Sequence, residues 1–243
     1  MAKVVIVTGG GRGIGAATCK LLASQGYWVC VNYINDVESS ESVVTAIKQH
    51  GGEAFAFQAD VADEKQVKAM FKAVTSRYGR VTHLVNNAGI LSLQSTLENI
   101  SSERFRTILD TNVMSCFLCS KEFIKQLPSD GSIVNVSSAA SRTGAPFEYI
   151  DYAASKGAMD SITKGLSLEL APRNIRVNGV RPGCIYTEMH AYGGEPNRVD
   201  RLASKIPLQR GGKVEEVASA IAWLLSDEAS FVTGSFIDIA GGN

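Results

Sequence analysis

The sequence lacks an excess of charge of either sign. Its 243 residues hold 24 Lys plus Arg against 24 Asp plus Glu, so there is no long-range field of the kind that draws proteins to nucleic-acid phosphates or to anionic lipid. It lacks a long apolar run: none approaches the ~20 residues that cross a bilayer. Met1-Ala2-Lys3 leads straight into a strand pattern without the features of a signal peptide. Histidine is scarce and scattered, at positions 50, 83 and 190, which sets the expectation of no metal site. Six prolines and 20% charged residues, against 45% hydrophobic ones, exclude a low-complexity or disordered chain. Five cysteines are an odd number in a chain far above disulfide-scaffold size, so reduced thiols and a cytoplasmic location are expected. Cys116 and Cys119 spell C-x-x-C but sit in the apolar stretch Val113-Met114-Ser115-Cys116-Phe117-Leu118-Cys119, where positions three apart share a helix side. Packing is the expected role. The partners left are small molecules, with neither nucleic acid nor membrane among them.

What is present is an alternation of two periodicities. Short β-branched runs occur at Val4–Val7, Trp28–Asn32, Ala54–Gln58, Leu84–Asn86, Ile133–Val136, Ile175–Val180 and Phe236–Ile239. Between them lie stretches with apolar residues three and four apart, such as Val67, Met70, Phe71 and Val74. Gly26, Gly51-Gly52, Gly79 and Pro172 mark helix ends. Continuous apolar strands separated by helices predict an α/β fold: a doubly wound, seven-stranded parallel sheet with helices on both faces and a ligand crevice at the strand C-termini. No linker interrupts it, so residues 1–243 are expected to form one domain. One segment, about 184–207, breaks the alternation and reads as a substrate loop.

The first strand runs into Thr8-Gly9-Gly10-Gly11-Arg12-Gly13-Ile14-Gly15 and then a helix. Glycines here allow a sharp turn and close backbone approach, and the free N–H groups of the helix start favour a pyrophosphate. A glycine cluster between a strand and a helix therefore predicts dinucleotide binding, with Gly9, Gly11, Arg12, Gly13, Ile14 and Gly15 as contacts. Further on, Tyr152-Ala153-Ala154-Ser155-Lys156 places a phenol and an ammonium four apart on one helix face. A neighbouring cation lowers a phenol's pKa, so the pair can exchange a proton with a substrate oxygen while a cofactor exchanges a hydride. Tyr149 has Ala153 at the same spacing and no lysine. The fifth strand ends in Ser137-Ser138, whose side chains point to opposite faces, so one of them can reach a substrate carbonyl.

The spacing Thr-Gly-x-x-x-Gly-x-Gly, together with Asn86-Asn87-Ala88-Gly89 and Tyr152-x-x-x-Lys156, resembles the short-chain dehydrogenase/reductase family. The resemblance covers nearly the whole chain, and it implies a Rossmann fold and hydride transfer between a nicotinamide cofactor and a carbonyl or secondary alcohol. It implies that Ser138 polarises the substrate oxygen and that Asn112 completes a catalytic set with Ser138, Tyr152 and Lys156 by holding a water beside the lysine. It implies that Asp60 and Val61 flank the adenine, that Asn87, Ala88 and Gly89 line the groove, and that Pro182, Gly183, Ile185 and Thr187 contact the nicotinamide end. The position that selects the cofactor falls on Tyr33, beside the uncharged Asn32; with Arg12 free to form a fork with a phosphate, NADP is preferred. Asp36, near enough to reach a ribose after a loop shift, keeps NAD possible.

Substrate identity is less defined. Leu91, Tyr149 and His190 are candidate substrate contacts by their position beside the motifs, with Leu93 and Tyr192 near them. Relatives of this pattern include 3-oxoacyl-carrier-protein reductases, which need basic residues at the active-site mouth; Arg173 is one candidate, but Gln126-Leu127-Pro128-Ser129-Asp130 lacks a basic cluster. Sugar (glucose-type) dehydrogenases are another alternative, and a non-catalytic cofactor-binding sensor a third. The family resemblance implies a homotetramer, with which the apolar residues spread around the helix from Asn112 to Gln126 agree.

Overall fold

The computed structural model describes residues 3–243. The elements follow as β1 (Val4–Val7), α1 (Gly13–Ser24), β2 (Trp28–Tyr33), α2 (Val37–Gln49), β3 (Glu53–Gln58), α3 (Glu64–Tyr78), β4 (His83–Asn86), α4 (Ser102–Leu109) and α5 (Ser115–Gln126). Then come β5 (Gly131–Val136), α6 (Ala140–Thr143), α7 (Ile150–Leu170), β6 (Ile175–Pro182), α8 (Met189–Tyr192), α9 (Arg198–Ala203), α10 (Val214–Leu225) and β7 (Phe236–Ile239). All seven strands pair in parallel in the order β3-β2-β1-β4-β5-β6-β7. This is the doubly wound sheet that the alternating pattern predicts. Each predicted strand is found, extended by two residues at most. The order reverses between β1 and β4, which opens a crevice beyond the C-terminal ends of these strands.

Strand alternation divides the core in two. Val5 and Val7 face a layer with Leu22 of α1, Val43 and Ile47 of α2, and Ile221 and Leu225 of α10. Val4 and Ile6 face the opposite layer, with Met70 and Phe71 of α3 and Leu118 and Phe123 of α5. Helix starts are fixed by side chains: Asp36 accepts from Ser39 N at the head of α2, Asp63 from Lys65 N and Gln66 N at α3, and Ser101 from Arg104 N at α4. Cys116 and Cys119 are fully buried free thiols, and burial pushes the Cys116 thiol up to about 12. Among the described residues no helix is long and apolar enough to cross a membrane.

One helix start differs from the expectation. The helix predicted to begin at Asn112 is preceded by a wide π-helical turn, Asp110–Met114, continuous with α4. The extra residue per turn directs the Asn112 side chain inward. The segment 184–207, read as a substrate loop, carries the short helices α8 and α9.

His83, on β4, packs edge-on against Tyr27 at 5.1 Å and is buried, which pushes its imidazole pKa down to about 3. Because folding favours the neutral ring, stability from this site is complete above the unfolded value near ~6.5 and is lost as pH falls toward about 3. The slope is up to about 1.4 kcal/mol per pH unit. A His83→Phe chain should show a flatter decline in denaturation midpoint between pH 6 and 4; an unchanged slope refutes the assignment.

Candidate active site

The site begins with the turn after β1. Gly9 and Gly13 take left-handed φ values of 61° and 52°, a region open mainly to glycine. Gly15 has no such twist but has no room: a Cβ there would run into the Gly9 carbonyl and lie 2.7 Å from Asn87 Nδ2. A Cβ on Gly11 would strike the Ser40 hydroxyl. The turn is braced from β4. Thr8 Oγ1 accepts from Asn87 N and Ala88 N at 2.9 Å each, and Asn87 Nδ2 donates to the carbonyls of Thr8 and Gly9. Helix α1 has neither a side-chain cap nor an acidic residue in its first turn. Its N–H groups thus face outward beside a Cβ-free cradle, which fits a pyrophosphate.

Around this turn the predicted contacts take different roles. Asn32 is buried, accepts from Gly9 N at 3.2 Å and donates to the carbonyls of Tyr33, Phe57 and Ala59. Its amide is therefore committed to bracing the glycine turn. Tyr33 lies half-buried at the end of β2. Asp36 is held by its capping bonds to Ser39 N and Oγ, which draw its carboxyl below the usual range. Asp60 Oδ1 closes a turn onto Ala62 N, and Val61 is buried beneath it. Arg12 is exposed, and its Nη1 donates to the Tyr192 hydroxyl at 2.6 Å with the guanidinium 4.7 Å from the ring. The charge expected to face a phosphate is thus stacked on the loop that follows β6. Thr187 faces the same turn, its Cγ2 3.6 Å from where a Gly13 Cβ would lie.

The catalytic candidates converge at the C-terminal ends of β4 and β5. Ser137 turns inward and donates to Lys156 O, whereas Ser138 accepts from Ala140 N and reaches the Tyr152 phenol. Lys156 Nζ donates to Val136 O at 2.8 Å, with the Tyr152 ring centroid 5.5 Å away. Asn112 is buried; its Oδ1 accepts from Ile90 N and its Nδ2 donates to Ile90 O and Ser155 Oγ. A Cβ on Gly89 would lie 3.3 Å from Asn112 Oδ1 and 3.4 Å from Lys156 Nζ. The Asn-Asn-Ala-Gly turn thereby links the glycine cradle to the lysine. One expectation reverses: burial pushes the Tyr152 phenol up to about 12, against the pull of the Ser138 hydroxyl. Burial also lowers Lys156 to about 8.

The substrate candidates define a roof. Gly183 N donates to Ile239 O, Ala139 N donates to Pro182 O, and the Ile185 side chain is in the core, so this stretch offers backbone to the groove. His190 Nε2 lies 3.0 Å from Ile185 O and so donates to it, and burial depresses the ring's pKa. That bond fastens the loop. Tyr149 is buried and donates to Gly193 O at 3.3 Å, and a Cβ on Gly193 would lie 2.8 Å from Leu91 Cδ1. Leu91 and Tyr149 therefore support the loop from below.

Sequence reasoning missed the charges that tie the roof down. Arg198 makes two bonds of 2.6 Å to Glu148, and Arg201 pairs with Glu195, whose carboxylate also accepts from Gln94. It also missed Arg104, which binds Asp151 beside the tyrosine. Arg198–Glu148 and Arg104–Asp151 lie 50 and 47 positions apart, out of reach of any local pattern, and Arg201–Glu195 lies six apart within a segment of weak periodicity; the one available signal was an acidic residue directly before Tyr152.

A family model described as "Enoyl-(Acyl carrier protein) reductase" matches residues 9–243. The chain is 59% identical over 244 residues to the Escherichia coli (strain K12) protein named "Uncharacterized oxidoreductase YgfF", covering 98% of this chain and 99% of that one. It is 38% identical to the "3-oxoacyl-[acyl-carrier-protein] reductase FabG" of Staphylococcus aureus, covering 100% and 98%. Among solved structures, a mutant short-chain dehydrogenase/reductase of Serratia marcescens superposes with TM-score 0.91 at 36% identity, over 99% and 97% of the two chains. A dehydrogenase/reductase from Sinorhizobium meliloti gives 0.93 at 33%, over 100% and 95%.

Proposed function

Because the chain belongs to the short-chain dehydrogenase/reductase family, and is an oxidoreductase of that family, we propose that it interconverts a small carbonyl compound and its alcohol with NADP(H), using Tyr152 as the proton donor and acceptor. The observation that carries this reading is the convergence of Ser138, Tyr152, Lys156 and Asn112 beside the glycine cradle. Bound NADP(H) supplies the hydride. Gly11, Gly13, Ile14 and Gly15 would hold its phosphates through backbone N–H groups, with Gly9 giving the turn its shape, Asp60 and Val61 toward the adenine, Ala88 lining the groove and Thr187 at the far end. Ser138 donates to the substrate oxygen, and Tyr152 gives that oxygen a proton in reduction and takes it back in oxidation. Lys156 holds positive charge next to the phenol and orients the ribose. Asn112, bonded through both ends of its amide, keeps a path from Lys156 toward solvent.

The preference for NADP is supported by the uncharged Tyr33 at the end of β2 and by Asp36 being bound within its own cap; Arg12 would meet a 2′-phosphate by exchanging its bond to the Tyr192 hydroxyl for one to the phosphate. A charge-assisted bond to the 2′-phosphate is worth about 1.5–3 kcal/mol. Arg12→Gln should therefore raise KM for NADPH roughly 10- to 100-fold and leave KM for NADH unchanged. Equal effects on both cofactors would refute the role. A panel of ketones, aldehydes, sugars and acyl thioesters with both cofactors tests the whole reading, and cofactor binding without turnover on any of them would favour a sensor.

A 3-oxoacyl thioester on an acidic carrier is the second reading, supported by the 38% identity to the staphylococcal reductase. Arg173 weakens it. Its guanidinium donates to the carbonyls of Ile124, Leu127 and Pro128, closing the end of α5, rather than facing a partner. A free small molecule is the substrate we favour. The exposed Met114 in the π-helical turn, Phe117 on α5 and Leu168 on α7 support a homotetramer, and the four buried free thiols support a reducing cytoplasm.

A further inference from the structure

Helix α7 is gripped at two points that flank Tyr152. At the first, Asp151, with no exposed surface, accepts from Arg104 Nε at 2.7 Å and from Arg104 Nη2 at 3.3 Å. The same carboxylate accepts from Tyr152 N at 2.9 Å, satisfying an N–H of the first helical turn that has no partner within the helix. At the second, Asn112 donates to Ser155 Oγ at 3.0 Å, and Ser155 Oγ donates to Tyr152 O at 2.7 Å. Arg104 lies on α4 and Asn112 in the π-helical turn that continues it. One rigid element therefore holds both the N–H and the C=O of Tyr152, each through a single intervening side chain.

Helical geometry turns this grip into an aiming device. Asp151 and Ser155 are four apart and share one face, and Tyr152 and Lys156 share the face about 100° around the axis. Docking the first face against α4 fixes the rotation of α7, and that rotation sets where the second face points. At the ~5–6 Å radius of helix side chains, a rotation of about 10° moves a side-chain tip by about 1 Å. Displacement of that size is enough to lower a rate 100-fold.

We propose that Arg104 and Asp151 are positioning residues that set the rotation of α7 and so aim the Tyr152 phenol at the substrate oxygen. The proposal rests on Tyr152 being the proton-transfer group. A buried ion pair is a poor source of stability, since a neutral pair of similar volume often replaces it without loss. Its value here is directional: the planar guanidinium fork holds the carboxylate in one orientation.

The test compares wild type, Arg104→Lys and the double variant Arg104→Met with Asp151→Leu. The double variant removes the buried carboxylate and its half-buried partner together and is expected to melt close to wild type. Its kcat is expected to fall roughly 10- to 100-fold, while KM for NADPH and for the carbonyl changes by less than about twofold. Arg104→Lys keeps the charge without the fork and should fall between the two. Wild-type kcat in the double variant overturns the proposal, and so does a parallel rise in KM with a fall in melting temperature in Arg104→Lys. Hydrogen exchange at the Tyr152 amide reads the grip without any turnover: it should quicken in the double variant, and unchanged protection overturns the grip. Tyr152→Phe is assayed alongside, and wild-type activity in that variant refutes the proposed chemistry separately from the exchange result.

Discussion

Replacing Tyr152 with phenylalanine is expected to lower kcat by roughly 10²–10⁴-fold, the range that a positioned acid or base contributes, while NADPH still binds. The substitution removes one oxygen. The ring remains in place, 5.5 Å from Lys156 Nζ, and Lys156 keeps its bond to Val136 O. The phosphate cradle lies on α1 and is braced from β4, so it does not involve Tyr152. A fluorescence titration of NADPH should therefore give about the same affinity in both proteins, whereas single-turnover reduction separates them. Retention of wild-type kcat would sink the mechanism.

The phenol's environment adds a direction. Burial raises Tyr152 to about 12, above the ordinary value near ~10. It is therefore protonated through neutral pH and loses its proton only as pH rises toward about 12. Reduction needs the protonated form, so its rate should be flat between pH 6 and 8. Oxidation needs the phenolate, so it should climb with pH over the same interval, by up to about tenfold per pH unit. Rates measured in both directions at saturating substrate check this, and an oxidation rate independent of pH contradicts the assignment.

The parts of this arrangement that could be read from the chain are those encoded by neighbours in sequence. Val4–Val7 and Ile133–Val136 are apolar runs bounded by turn formers, and period-two alternation assigns their faces without further information. Gly9 through Gly15 and Tyr152 with Lys156 are local spacings, legible because a turn and a helix fix their own geometry. Sequence position puts Asn32 beside the cofactor-selecting residue but does not show its orientation, which is set by Gly9 N and by a carbonyl of β3. Arg12 was read for its charge alone; its partner Tyr192 lies 180 positions away in a segment with weak periodicity. The direction of the Tyr152 shift was missed for a related reason. Helix spacing places a cation near the phenol, but how strongly the surrounding chain desolvates that phenol is a tertiary fact.

The two glycines of the phosphate turn should respond differently to a single added methyl group, because one lacks room and the other lacks only a comfortable φ. In Gly15→Ala the new Cβ meets the Gly9 carbonyl and comes within 2.7 Å of Asn87 Nδ2. Neither neighbour is free to move, since Asn87 Nδ2 also donates to Thr8 O and Asn87 N to Thr8 Oγ1. Relief must come from α1 shifting away from the turn, which pulls its first N–H groups off the pyrophosphate position. Overpacking of this kind destabilises by about 1–3 kcal/mol, or roughly 2–12 °C of melting temperature for a chain of this size. NADPH affinity should fall further than that, by about 100-fold or more, equivalent to about 2.7 kcal/mol, because several phosphate contacts are displaced together. In Gly13→Ala the nearest atom to the new Cβ is Thr187 Cγ2 at 3.6 Å, an ordinary contact, and the strain is confined to a φ of 52°. That conformation costs an L-residue about 1–2 kcal/mol, and the turn keeps its shape. Gly13→Ala should therefore lose melting temperature with less than about tenfold change in NADPH affinity. If the two variants bind NADPH equally, the turn is only a structural corner and the phosphates lie elsewhere. If Gly15→Ala alone loses the cofactor, backbone approach at the head of α1 is what holds it.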